Sequence, residues 1–305
     1  MELSIVICTF NRAFYLQKCL EALTPQNITE TEIIVIDNNS TDNTREIVEY
    51  FQKSSVQIRY FLEQKVGLSH ARNRGLKEAK SEWVCYVDDD AIVMQGYVQR
   101  VISLIKSYPF DFFGGKVTPL YLNPKPEWIP HTLNRFELED IDQITELSER
   151  YVIGANMIMR KKLVSDMGGF SPELGMQEGK IRYAEEDHIQ HVLRAQGYKI
   201  AYDPLLSVEH IVLPQKTLLK WHLISKLAHA RDSYKLCKNR KSKTELVFML
   251  CRSTIAALFK RLPYAIYKMI SDKKFYWQNA VLLILDPIIL ISGMMVTTYS
   301  SKHPK

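Results

Sequence analysis

The sequence predicts an α/β protein: a Rossmann-like, mostly parallel central sheet flanked by helices, followed by a C-terminal helical extension. Three observations carry this expectation. Short apolar runs alternate with amphipathic stretches at a spacing suited to right-handed crossovers, polar residues close each run, and beyond Pro214 the pattern turns helical and basic. With 305 residues, 46% of them apolar, the chain can bury a full core.

Residues 3–8 read as a first buried strand, and Thr9 to Arg12 as the turn into a helix with Leu16, Cys19, Leu20 and Leu23 on its buried side. Residues 32–37 form the second strand. Asn38 to Asp42 supply the short polar side chains of a tight turn and helix N-cap, and Ile47, Val48 and Phe51 the buried face of the helix that follows. Residues 57–62 are the third strand, 67–79 the third helix, 83–87 the fourth strand and 95–107 the next helix. A less regular section runs from 112 to about 213. It holds a strand at 112–117, a Pro-rich loop at 123–130 expected as a mobile lid, an acidic stretch at 137–149, and an apolar run at 151–159. A glycine turn at 167–170, a helix from near Glu186, and short strands at 200–202 and 206–208 complete it. Helices are then expected over 218–237, 245–270 and 278 to about 299. The organisation is 1–115 and 116–215 as halves of one domain, with 216–305 as the extension.

The fourth strand stops at three consecutive carboxylates, Asp88, Asp89 and Asp90. Packing a core calls for no such charge. At the C-terminal edge of a parallel strand, where α/β folds place their ligands, a divalent cation carrying phosphate oxygens answers it; a solvated acidic turn is the plain alternative.

Net charge is +6, but residues 216–305 carry 17 Lys and Arg against four Asp and Glu, which leaves −7 on residues 1–215. The basic third needs an anionic neighbour. Its charges are interleaved with long apolar faces rather than stacking aromatics, so a membrane surface is expected and nucleic acid is not. Residues 279–299 are long enough to cross a bilayer, yet Asp286-Pro287 at their middle favours helices lying in the interface. Arg261, Lys268, Lys273 and Lys274 would then face lipid phosphates, with Phe275, Tyr276 and Trp277 at headgroup depth. A cytosolic helical cover is the alternative. The five cysteines have no metal-ligand spacing, and the N-terminus shows no signal-peptide pattern, so a reduced, cytoplasmic protein peripheral to the membrane is expected.

Taken together, Cys8-Thr9-Phe10-Asn11-Arg12, residues 36–42, residues 67–73, Asp88-Asp89-Asp90, Gly154-Ala155-Asn156, Glu186-Asp187 and His210 resemble the family 2 glycosyltransferases with the GT-A fold. The resemblance covers residues 3–210. It implies a nucleotide-diphosphate sugar donor, inversion at the anomeric carbon, a divalent metal (Mn or Mg), and a saccharide or lipid-linked saccharide acceptor in surface polysaccharide or glycolipid biosynthesis.

By position, the resemblance gives Thr9, Asn11 and Asp37 to the nucleoside, although each is also placed to cap the following helix. Arg72 is expected to face the diphosphate with backbone N–H groups of its helix start, or else to form a surface ion pair. Asp88 falls to the ribose or the metal's water shell, Asp90 and His210 to the metal, and Asp89 away from it. Gly154, Ala155 and Asn156 fall to the acceptor. Asp187 would be the base that takes the acceptor's proton, with Glu186 orienting the acceptor; three carboxylates at a helix start also simply complement its dipole. Two other functions compete. A sugar-nucleotide nucleotidyltransferase would need a glycine-rich phosphate loop after the first strand, which residues 9–14 lack, and a non-catalytic nucleotide-sugar-binding module would need no Asp187.

Overall fold

The computed structural model describes the whole chain except residues 27–29, 54–56, 131–137, 139, 178–179, 238–239 and 301–305. The described residues fall into two compact units: residues 1–122, 134–178 and 185–211 form the first, and residues 123–133, 179–184 and 212–305 the second. The C-terminal part of the acidic stretch is described, but Glu137 and Glu139 lie outside the described residues.

In the first unit, β1 (Leu3–Thr9), α1 (Ala13–Leu23), β2 (Thr31–Asp37), α2 (Thr44–Gln52), β3 (Ile58–Leu62), α3 (Leu68–Glu78) and β4 (Trp83–Val87) follow one another as the apolar pattern requires. They continue into β5 (Ala91–Val93), α4 (Tyr97–Ser107), β6 (Phe112–Leu120), β7 (Thr145–Glu146), β8 (Asn156–Arg160), α5 (Lys161–Asp166), α6 (Glu185–Ala195) and β9 (Ile200–Ile211). The sheet order is β3-β2-β1-β4-β8-β6-β9-β5, with β7 on β9. Strands β3, β2, β1 and β4 are parallel, whereas β8 runs antiparallel to both β4 and β6. The sheet is therefore mixed.

Strand alternation divides the core into two layers. Leu3, Ile5 and Ile7 of β1 pack with Leu16, Leu20 and Leu23 of α1, Val48 of α2 and Val101 of α4. Val6 points the other way, with Ala71 and Leu76 of α3, Val164 of α5, and Ile189 and Leu193 of α6.

One long strand, β9, replaces the two short ones expected at 200–202 and 206–208. Pro204 cannot donate to the ladder, so the strand bulges there instead of ending, and pairing with β6 resumes in shifted register after Gly115. A Cβ at Gly115 would lie 1.9 Å from the Leu206 carbonyl oxygen. Gly115→Ala is expected to destabilise the protein by about 1–3 kcal/mol, the usual cost of overpacking, as a lower urea midpoint with unchanged slope.

The second unit holds a 3₁₀ turn (Pro214–Thr217), α7 (Leu219–Leu236), α8 (Lys243–Ala256), a π turn (Ala257–Arg261), α9 (Leu262–Ser271) and α10 (Trp277–Ser300). The helix expected over 245–270 is thus interrupted. Pro263 has no N–H for the carbonyl one turn earlier, and the wider π turn absorbs the mismatch. The loop expected as a mobile lid is, over its described part, anchored to the helices of this unit. Trp128 and Ile129 are buried, the Trp128 carbonyl accepts from Asn279 Nδ2 at 2.7 Å, and the Trp128 indole meets His222 edge-on.

Candidate active site

The site lies at the C-terminal ends of β1, β2 and β4 within the first unit. Asp88 to Asp90 form the tight turn between β4 and β5, closed by the Ala91 N–H donating to the Asp88 carbonyl at 3.0 Å. Because β5 begins immediately afterwards and pairs antiparallel with β9, Ala91 stands opposite His210. The Ile211 N–H donates to the Asp90 carbonyl at 2.7 Å and locks this register. A residue 120 positions downstream is thereby delivered to the acidic turn.

His210 Nε2 lies 2.9 Å from Asp90 Oδ1 and 3.8 Å from Asp88 Oδ2. One ligand atom from each of the three residues falls within 4.8 Å of the other two. Two carboxylate oxygens and an imidazole nitrogen make a donor set suited to Mn or Mg. Burial would raise the Asp88 carboxyl, but the His210 hydrogen bond and the nearby Arg72 more than offset it, and Asp88 is held below its ordinary range.

Asp89 turns elsewhere. It is buried, it pairs with Arg12 Nη1 at 3.0 Å, and Arg12 also reaches Asp90 Oδ2 at 3.3 Å. Burial pushes Asp89 up to about 6, with Arg12 opposing and Asp90 reinforcing the shift. Arg12 was given no role by the sequence, although it closes the Cys8 to Arg12 turn.

Arg72 differs from expectation. It is buried, its Nη1 bonds Glu185 Oε1 at 2.7 Å, and its Nη2 lies 3.5 Å from Asp88 Oδ1. The guanidinium also lies against the ring of Phe170, with its carbon 5.5 Å from the ring centre. It is a buried brace between the acidic turn and the start of α6, not an ion pair on the surface. The helix start is spoken for as well: the Gly67 N–H donates to Asn38 Oδ1 and the Leu68 N–H to the Met176 carbonyl. Gly67, at φ +142°, makes the turn that a side chain would resist.

Glu185, passed over in the sequence, is the other end of that brace. It is buried at the first position of α6, and burial and the adjacent Glu186 push its carboxyl well up despite Arg72. Ala184 enters the helix at φ +73°, a strained setting for a non-glycine residue. Asp187, half-buried on the next position but one, is pushed up to about 7 by burial and by Glu186, with Arg194 opposing.

The residues expected at the acceptor are held as follows. Asn156 is fully buried; its Oδ1 accepts from Tyr97 Oη at 2.7 Å, and its Nδ2 donates to the Leu206 carbonyl at 2.9 Å and the Lys116 carbonyl at 3.3 Å. Its amide ties three strands together and is closed to solvent. Ala155 is buried too, and a Cβ at Gly154 would lie 2.5 Å from Arg72 Nη2, so this glycine makes room for the brace.

On the nucleoside side, Asp37 Oδ1 accepts from the Ser40 N–H at 2.8 Å and Oδ2 from Tyr60 Oη at 2.7 Å. Asn11, at φ +53°, accepts from the Thr41 N–H at 2.7 Å and joins the first two polar loops. Thr9 is buried with its hydroxyl toward Asp89. Thr9 and Asp37 end adjacent paired strands, so these residues share one sheet edge.

Three comparisons bear on this arrangement. The chain is 39% identical over 104 residues to GalNAc(5)-diNAcBac-PP-undecaprenol beta-1,3-glucosyltransferase of Campylobacter jejuni, covering 33% of this chain and 34% of that protein. It is 30% identical over 176 residues to the glycosyltransferase AglE of Haloferax volcanii, covering 56% of each. The chain thus spans about a third to just over half the length of these relatives. Its fold is similar to that of a mannosyltransferase from Pyrobaculum calidifontis solved with GDP-Man and Mn2+, at a TM-score of 0.66 and 16% identity, covering 98% of this chain and 87% of that one. The family model for glycosyl transferase family 2 matches residues 4–168, more than half of the chain, from β1 through the acidic turn to α5; the chain belongs to glycosyl transferase family 2.

Proposed function

We propose that the chain is an inverting, metal-dependent glycosyltransferase that moves a sugar from a nucleotide-diphosphate sugar to an acceptor hydroxyl. The observation that carries this reading is the Arg72 brace. It links Asp88 of the acidic turn to Glu185 at the start of α6, which supports a role for that helix's carboxylates at the site. Asp90, His210 and Asp88 would hold a divalent cation, Mn or Mg, which when bound would supply positive charge against the departing diphosphate. Thr9, Asn11 and Asp37 line the edge that receives the nucleoside.

Asp187 takes the proton of the attacking hydroxyl. A general base works best with a pKa near the operating pH, and burial beside Glu186 gives Asp187 that value. Glu186 orients the acceptor. Arg72 and Glu185 act through position: they tie the start of α6 to the acidic turn. The acceptor oxygen attacks opposite the diphosphate in one displacement, with oxocarbenium character and no covalent sugar-enzyme intermediate.

A lipid-linked saccharide acceptor is supported by the Campylobacter jejuni relative, which acts on a saccharide carried on PP-undecaprenol. The basic residues 216–305 then hold the protein at the cytoplasmic face of a membrane. Residues Trp277–Thr298 are long and apolar enough to cross one. A panel of UDP-, GDP- and dTDP-sugars with Mn2+, read by release of nucleoside diphosphate and by NMR of the product's anomeric configuration, tests the proposal. Turnover of one donor with inversion is expected; retention would refute the single displacement.

A further inference from the structure

Resting on the membrane reading above, we propose that the outer face of α8, the π turn and α9, and not the longer apolar α10, is the surface that enters an anionic lipid bilayer. α10 has the length to span, but several of its polar and close-packed points are already engaged within its own unit. Asp286, at its middle, pairs with Lys226 of α7. The Ile284 carbonyl accepts from Arg261 at 3.3 Å, and Thr297 Oγ1 donates to the Arg231 carbonyl of α7 at 2.5 Å. At Gly293 the two helices touch backbone to backbone, since a Cβ there would lie 2.7 Å from Ala230 Cβ and 2.8 Å from the Leu227 carbonyl. The helix is held at these points although only 28% of its apolar span is buried, and among the described side chains past the first turn Leu290 and Val296 are the large apolar ones that stand well exposed, at 42% and 44%.

The stretch from α8 to α9 is built the opposite way. Its buried side chains are Leu246, Ser253, Ala257 and Ala265, a narrow seam of mostly small residues packed on α10. Outside that seam large apolar side chains stand open among the polar ones: Phe248 is 68% exposed, Ile255 58%, Phe259 79%, Tyr267 63% and Ile270 82%. A helix apolar on its open side needs a second apolar phase. Arg252, Lys260, Lys273 and Lys274, all exposed among these side chains, choose which phase. Long basic side chains laid among buried aromatics and aliphatics reach lipid phosphates while their neighbours enter the acyl boundary. The same charges exclude a full span of α8 and α9 and disfavour a second copy of this equally basic face. An anionic bilayer surface meets both demands.

The test uses the full-length chain and vesicles of phosphatidylcholine with or without phosphatidylglycerol. Wild-type protein is expected to co-sediment with the anionic vesicles and to be released by high salt. Phe259→Asp/Ile270→Asp is expected to bind at least ~10-fold more weakly, and Leu290→Asp within about twofold of wild type. A dye on Cys251, exposed on α8, in a Cys237→Ser background gives a reading independent of those variants: quenching by acyl-chain spin labels is expected. Binding unchanged in the double variant, an unquenched dye, or equal loss in Leu290→Asp would overturn the assignment of α8 and α9 while leaving membrane attachment intact. Failure of wild-type protein to bind any vesicle would overturn both, as would a lipid-independent dimer abolished by the double substitution, since a second copy would then cover this face.

Discussion

Replacing Asp187 with asparagine is expected to lower kcat by at least ~100-fold, the low end for losing acid–base assistance, while leaving donor affinity unchanged. The substitution keeps the shape of the side chain and removes only its ability to take a proton. The pH dependence gives a second reading. Asp187 must be ionised to act, and with its pKa pushed up to about 7, kcat in the wild type should rise with pH through about 7 and level off above it. In the variant that rise should vanish. Stability moves the other way. A carboxyl whose folded pKa is raised from 3.8 to about 7 contributes stability fully present below about 3.8 and lost as pH climbs through about 7. Asp187→Asn should flatten that part of the stability profile. Wild-type turnover in the variant would remove Asp187 from the base role.

Breaking the buried brace should be the most costly change to folding. Arg72→Met leaves Glu185 without its partner in a setting where burial already pushes its carboxyl up, and losing one member of a buried ion pair costs about 3–5 kcal/mol. Glu185 would answer by binding a proton. If the pair acts as a unit, Arg72→Met/Glu185→Gln should recover part of the loss, so that the double variant is more stable than the sum of the single changes predicts. Urea unfolding of the four proteins measures this coupling. A cost under ~1 kcal/mol for Arg72→Met would mean the contact is dispensable.

What the sequence could disclose follows from how far each feature depends on distant residues. β1 to β4 are legible because apolar runs and polar turns are local, and β1, β2 and β4 are buried on both faces. The direction of β8 is not legible, because it is set by its pairing with β4 and β6 across 43 to 77 residues. The acidic turn announced itself by charge density alone, and His210 by the resemblance. Its delivery to that turn depends on the Ala91–His210 register, which no spacing rule gives.

The partners of Arg72 and Asn156 were not legible for a common reason. Each is a polar residue in a helix or strand whose partners come from elsewhere in the chain, and such residues look exposed until those partners are in place. Glu185 was missed because three carboxylates at a helix start are explained well enough by the helix dipole. The signal available was the strain at Ala184, visible only in the backbone.

The most direct test of a metal-bridged diphosphate at the acidic turn is calorimetry of nucleoside diphosphate binding with and without Mn2+, for wild type and Asp90→Asn. UDP, GDP and dTDP would be compared, and the variant keeps the shape of a buried side chain. At least one diphosphate is expected to bind ~10-fold or more tightly with Mn2+ than in chelator, and Asp90→Asn should abolish the difference. Binding of every diphosphate that ignores Mn2+, or a Mn2+ effect that survives in Asp90→Asn, would contradict it.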